Sequence, residues 1–189
     1  MRMHEFAIQM RDAGVGLLQY RNKVDGPRVV LRDAALIAEV FVGTDAMLVM
    51  NDRSDLAVLA GFGGVHVGQG DLLPEDARRV VGAGRLVGVS THSDEQMRAA
   101  DAGCADYVAV GPVFATGTKV AAEPLIGLEG VRRARALTGK PIVAIGGITR
   151  ANARSVIDAG ADSVAVISEL LVAGQRPEKV ARDFLALLR

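Results

Sequence analysis

The chain has 189 residues, a length that fits one domain with a single core. Half of it is hydrophobic (50%), 23% is charged, and Lys+Arg and Asp+Glu are both 22, so the formal net charge is zero. Such a chain is globular, has no overall field to recruit nucleic acid or an anionic membrane, and with 4% aromatics and no Trp makes a poor base-stacking platform.

From the front, Glu5 to Ala13 reads as a helix ending at Gly14. Strand candidates then follow at Leu17–Arg21, Met47–Asp52, Gly64–Gln69, Leu86–Thr91, Tyr107–Pro112, Pro141–Gly147 and Ser163–Ser168. Several are apolar at nearly every position, the pattern of strands covered on both faces in a parallel sheet. Between them lie stretches of helical period: Val29–Val40, Pro74–Val81, Asp94–Ala102, Gly127–Leu137, Ala151–Ala159 and Pro177–Leu188. No linker or low-complexity run divides the chain, so residues 1–189 read as a single domain. Four helix ends echo one another: Asp12-Ala13-Gly14, Leu59-Ala60-Gly61, Asp101-Ala102-Gly103 and Asp158-Ala159-Gly160. Glycine suits the left-handed position after a helix.

Alternating strands and helices predict the α/β class. Polar residues end nearly every strand, which favours a TIM-type (β/α) barrel over a doubly wound sheet. Such a barrel has eight strands, and seven are found. The Ala-Gly helix ends precede the first, third, fifth and seventh strands, which become the even strands if one is missing in front. The expectation is a barrel lacking its first strand, N-terminally incomplete, with unpaired edges on Leu17–Arg21 and Ser163–Ser168 and a tendency to associate there as a homo-oligomer.

The strand ends carry the chemistry. Arg21 and Lys23 alternate along one strand end, and Lys119 sits on a loop rich in Gly and Thr. Cations beside hydroxyls and backbone N–H groups make an anion site. As single residues, each would more simply be a solvated surface charge. Asp52 and Asp71 follow buried strands and could hold Mg²⁺ against a diphosphate; either could instead cap the next helix. Gly146-Gly147 after the sixth strand and Ile167-Ser168 after the seventh stand where barrels bind phosphate through backbone N–H groups. His66 and His92 are equally compatible with structural and contact roles. One Cys and three scattered His rule out a zinc-type cluster. Cys104, alone, forms no intrachain disulfide and fits a reducing, cytoplasmic setting. No apolar run spans a bilayer, and residues 1–6 lack a signal-peptide apolar region.

In this order the motifs resemble the thiamine phosphate synthase family. The likeness runs through Gln19-Tyr20-Arg21-Asn22-Lys23, Asn51-Asp52, Gly68-Gln69-Gly70-Asp71, Gly88-Val89-Ser90-Thr91-His92, Gly111-Pro112-Val113-Phe114, Thr116-Gly117-Thr118-Lys119, Gly146-Gly147-Ile148 and Ile167-Ser168. The resemblance implies condensation of 4-amino-5-hydroxymethyl-2-methylpyrimidine diphosphate with 4-methyl-5-(2-phosphoethyl)thiazole, giving thiamine phosphate and pyrophosphate. It implies Mg²⁺ on Asp52 and Asp71, and Gln19 and Ser90 on the pyrimidine. It places Arg21, Lys23, Asn51 and Lys119 on the diphosphate, and Thr116, Thr118, Gly147, Ile167 and Ser168 around the thiazole phosphate. Of these, Arg21, Lys23, Ser90 and Lys119 would bear most directly on the chemistry. Asn22, Ala115 and Tyr20 depart from the family's usual residues. The competing readings are a thiazole tautomerase-like isomerase and a non-catalytic barrel that binds thiamine precursors.

Overall fold

The computed structural model describes residues 2–117 and 124–188. Among them are seven strands: β1 (Leu17–Tyr20), β2 (Met47–Asn51), β3 (Gly64–Val67), β4 (Leu86–Thr91), β5 (Tyr107–Val110), β6 (Ile142–Ile145) and β7 (Ser163–Ala165). They form one sheet in chain order, each parallel to its neighbours. Helices connect and cover them: α1 (Met3–Ala13), α2 (Pro27–Val40), α3 (Ser54–Leu59), α4 (Pro74–Val81), α5 (Asp94–Ala102), α6 (Gly127–Leu137), α7 (Ala153–Asp158) and α8 (Pro177–Leu187), with a 3-10 turn η1 (Ser168–Leu171) after β7.

Local chemistry sets these helix ends. Pro27, Pro74 and Pro177 each open a helix, where a missing N–H costs nothing and φ is already helical. Ser93 caps α5 by accepting from the Gln96 N–H at 3.2 Å. Gly14, at φ 83°, closes α1 by donating back to the Arg11 and Met10 carbonyls. Of the four echoed glycines, Gly14, Gly61 and Gly160 have positive φ, whereas Gly103 is at −88° and needs no glycine for that reason. A side chain there would press instead on the Ala99 carbonyl, 3.2 Å from a Cβ.

Outward-facing strand residues and the inner faces of the helices make the core, with Met50, Val65, Val67, Val87, Val108, Ile142 and Ala144 buried between them. On the inner face, burial depends on distance from the sheet edges. His66, Ser90, Tyr107 and Ala109, mid-sheet, are buried, while Leu17, Gln19 and Ala165, on the two edges, are exposed. This is the signature of a barrel open along one seam. β1 pairs only with β2 and β7 only with β6 among the described residues. The helix layer continues across the seam, since α1 packs on α2 at one side and α8 at the other. Gln9 of α1 also accepts from the Glu178 N–H at the start of α8, at 3.3 Å. The seven-stranded sheet and its two unpaired edges agree with the sequence reading.

Six strands stop short of their expected ends. Arg21, Asp52, Gln69, Gly111-Pro112 and Gly146-Gly147 lie in loops, and Ser168 starts the 3-10 turn rather than ending a strand.

Candidate active site

The loops after β1, β2 and β3 bring cations and carboxylates together. Gln19 reaches the next strand, its Nε2 donating to Asn51 Oδ1 at 3.3 Å. Beyond β1, Asn22 organises the loop: its Oδ1 accepts from the Val24 and Asp25 N–H groups at 3.1 and 3.0 Å, and its Nδ2 donates to Tyr20 Oη and Asp25 Oδ2. Aspartate could accept at these places but not donate, which gives Asn22 a local purpose. The loop presents Lys23, whose Nζ lies 2.7 Å from Asp52 Oδ2. Arg21 is exposed and makes no ion pair or hydrogen bond among the described residues.

Asp52 is the one non-glycine residue with positive φ among those described, at 62°. Its N–H donates to the His66 carbonyl at 2.8 Å, which holds the left-handed turn against β3 and aims the carboxylate at Asp71. The two carboxyls are close enough to share a hydrogen bond. Burial pushes Asp52 up, and Asp71 pushes it further, against the pull of Lys23. Burial also opposes the Asp71 charge, but the hydrogen bond from Asp52, the Gly68 N–H at 2.9 Å and the nearby Lys23 outweigh it and hold Asp71 below the ordinary range. A divalent cation would relieve such a crowded pair of carboxyls.

Neither carboxylate caps a helix. The N-cap residues of α3 and α4 are Arg53 and Leu73, and neither helix has a side-chain cap. The capping alternative for Asp52 and Asp71 is therefore set aside, since both side chains turn to the mouth. No cluster of three or more His, Cys, Asp or Glu suited to a metal occurs among the described residues. Two carboxylates alone still suit Mg²⁺, which keeps several waters and takes its other ligands from substrate phosphates. The donor set thus fits the ion.

Ser90, on β4, is buried beneath this cluster. Its Oγ lies 2.9 Å from His66 Nε2, and its carbonyl accepts from Gln69 Nε2 at 2.6 Å. His66 Nδ1 meets Tyr107 Oη at 2.9 Å. His92 is drawn away: its Nδ1 bonds the Gly111 carbonyl and its N–H donates to Gln96 Oε1. Gln69 and Tyr107 bond to the candidate residues, and the sequence reading gave neither a role. A Tyr opening an otherwise small and apolar strand, two strands from a His, was the available signal, legible only with the register known.

On the other side of the mouth, Gly146 and Gly147 have φ of 89° and 65°. A Cβ on Gly146 would lie 2.6 Å from Pro112 Cβ, and one on Gly147 2.5 Å from the Ala115 carbonyl oxygen. Both glycines thus let the loop after β5 lie on the loop after β6. Phe114 N–H donates to the Gly146 carbonyl at 3.1 Å, and Asn152 Nδ2 to that of Gly147. Thr116 lies on this β5 loop. Ile167 is exposed (56%) at the start of η1, and Ser168 follows it. Arg150 ties this corner down, with Nε 3.1 Å from Glu169 and Nη1 3.0 Å from Asp183. Thr118 and Lys119 lie outside the described residues.

Comparison with known proteins bears directly on this arrangement. A sequence model of the family described as thiamine monophosphate synthase matches residues 2–170. A thiamine-phosphate synthase of Koribacter versatilis is 53% identical over 97% of this chain and 85% of its own length. One from Methanoregula boonei is 44% identical over 89% of this chain and 76% of its own. The thiamine phosphate pyrophosphorylase structure from Pyrococcus furiosus superposes with a TM-score of 0.89 at 29% identity, covering 98% of this chain and 88% of that one. The chain belongs to the thiamine monophosphate synthase family.

Proposed function

We propose that this chain condenses 4-amino-5-hydroxymethyl-2-methylpyrimidine diphosphate with 4-methyl-5-(2-phosphoethyl)thiazole to thiamine phosphate and pyrophosphate. The observation that carries the reading is the Lys23–Asp52–Asp71 cluster at adjoining strand ends, beside the Gln19–Asn51 pair. Among relatives named thiamine-phosphate synthase, identity reaches 53%.

The chemistry needs no nucleophile from the protein. The pyrimidine methylene carbon carries a diphosphate, and the ring amine can stabilise positive charge as that group leaves. The C–O bond breaks with its electrons going to the diphosphate, and the thiazole nitrogen then attacks the carbon. Arg21, Lys23, Asn51 and Lys119 hold the diphosphate, Gln19 and Ser90 orient the pyrimidine, and Thr116, Thr118, Gly147, Ile167 and Ser168 receive the thiazole phosphate. Asp52 and Asp71 would hold Mg²⁺, which when bound supplies positive charge to the leaving group. The catalytic power lies in alignment and charge neutralisation. A thiazole tautomerase would have little use for the carboxylate pair.

Incubation of the purified protein with both substrates and Mg²⁺ tests the reading through pyrophosphate release and thiamine phosphate formation. Absence of both products would overturn it. No helix among the described residues is long and apolar enough to cross a membrane, and the cytoplasm, where the cysteine stays reduced, is the proposed setting. The seam belongs to the same proposal. A parallel strand seated between β1 and β7 would satisfy both open edges, whereas two unpaired edges favour homo-oligomers. Sedimentation of the purified chain tests the open edges: association is expected, and a strict monomer at high concentration would count against it.

A further inference from the structure

Three neighbouring strands set His66, Gly88 and Tyr107 in one row on the inner face, since His66 pairs with Gly88 and Gly88 with Tyr107. A Cβ on Gly88 would fall 2.1 Å from Tyr107 Cζ and 2.4 Å from its Oη. The phenol ring therefore lies across β4 in the space a side chain would fill. From there it reaches His66 two strands away, with ring centroids 5.5 Å apart. All of this is buried: Tyr107 is 9% exposed, His66 8% and Ser90 4%.

The hydrogen positions follow from counting. A buried phenol must give its proton to an acceptor, or lose a hydrogen bond it would have made to water. Among the described residues the polar partner of Tyr107 Oη is His66 Nδ1, at 2.9 Å. Burial raises the Tyr107 pKa well above the ordinary phenol value, so the proton is present. Nδ1 then accepts, and the ring proton sits on Nε2. That N–H points at Ser90 Oγ, 2.9 Å away, which accepts it. The Ser90 hydroxyl proton is left to be donated elsewhere.

We propose that His66 is a positioning residue: Tyr107 fixes its tautomer, and His66 so holds Ser90 as a hydrogen-bond donor toward an acceptor atom, a ring nitrogen, of the pyrimidine substrate. The substrate half of this rests on the reading of Ser90 given under Proposed function; the tautomer half does not. With the opposite tautomer Ser90 would give its proton to His66 and could offer the substrate only lone pairs, which would select an amine.

The test has two arms. The first is a nitrogen-15 spectrum of the full chain labelled at histidine, which has three such residues. The His66 signals are assigned by their loss in His66→Gln or by elimination with His4→Gln and His92→Gln. The expected pattern at neutral pH is a protonated Nε2 and an unprotonated Nδ1; a protonated Nδ1 overturns the proposal. The second arm is kinetic. Tyr107→Phe should mix the two tautomers and lower kcat/KM for the pyrimidine diphosphate about five- to tenfold, the effect of about one hydrogen bond. KM for the thiazole phosphate should not change. In a Ser90→Ala background Tyr107→Phe should add little, whereas a full multiplicative loss there overturns the coupling. Absence of condensation in the unaltered protein would sink the substrate reading while the spectrum still decides the tautomer.

Discussion

Replacing Asp52 separates its charge from its backbone role. It stands at φ 62°, a region that Asn also tolerates and that costs Ala about 1–2 kcal/mol. Its ion pair with Lys23 is partly exposed, with side-chain exposures of 18% and 48%, and such pairs contribute about 0–1 kcal/mol. Against that small gain stands the crowding with Asp71, which Asn would relieve. Asp52→Asn should therefore leave stability within about 1 kcal/mol, a shift of about 2–4 °C in Tm for a chain of this size. Asp52→Ala should melt lower than Asp52→Asn by the cost of the left-handed residue. Both should lose Mg²⁺-dependent turnover. Even partners outside a coordination shell cost about 10–100-fold in metal affinity or activity, so losing one of two carboxylates should raise the half-saturating Mg²⁺ at least about tenfold. The assay is pyrophosphate release against Mg²⁺ concentration, with melting curves on the same samples. An unchanged Mg²⁺ dependence in Asp52→Asn would refute the metal role, and equal melting of the two variants would refute the backbone argument.

The carboxylate pair should also show in the pH dependence of stability. The raised Asp52 contributes fully below the ordinary value of 3.8 and loses its contribution as pH rises through its own pKa. The lowered Asp71 does the reverse, contributing above 3.8 and fading as pH falls. Asp52→Asn should thus gain on the unaltered protein as pH climbs from 3.8 toward neutral, and melts that run parallel would count against a raised Asp52. Gly147→Ala places a Cβ 2.5 Å from the Ala115 carbonyl oxygen at φ 65°, and should cost more than about 2 kcal/mol in denaturant unfolding; a neutral effect would contradict the tight loop contact. Lys119→Ala should weaken the transition state by roughly 1.5–3 kcal/mol in kcat/KM for the pyrimidine diphosphate. A change confined to the thiazole phosphate would move Lys119 to the other substrate.

The architecture was legible along the chain. Apolar period and Pro or Gly punctuation are local signals, and they placed α4, α5, α6 and β4 at the bounds the structure has. Seven strands, and the pair of edges that stay open, followed from the same pattern. The family motifs drew attention to Lys23, Asp52, Asp71 and Ser90. What only the tertiary structure decided was how these residues meet. Asp52 and Asp71 follow different strands, and nothing in their spacing says that they lie against each other rather than cap two helices. Gly147 read as bare backbone for an anion, and the structure gives its lack of a side chain a packing reason under the Ala115 carbonyl. Tyr107 and His66 are 41 positions apart, and the room that lets them touch is a hydrogen atom on Gly88 in the strand between. The physical reason is register: periodicity along a chain fixes which face a side chain takes, but which strands lie opposite, and at what offset, is set only when the whole sheet packs.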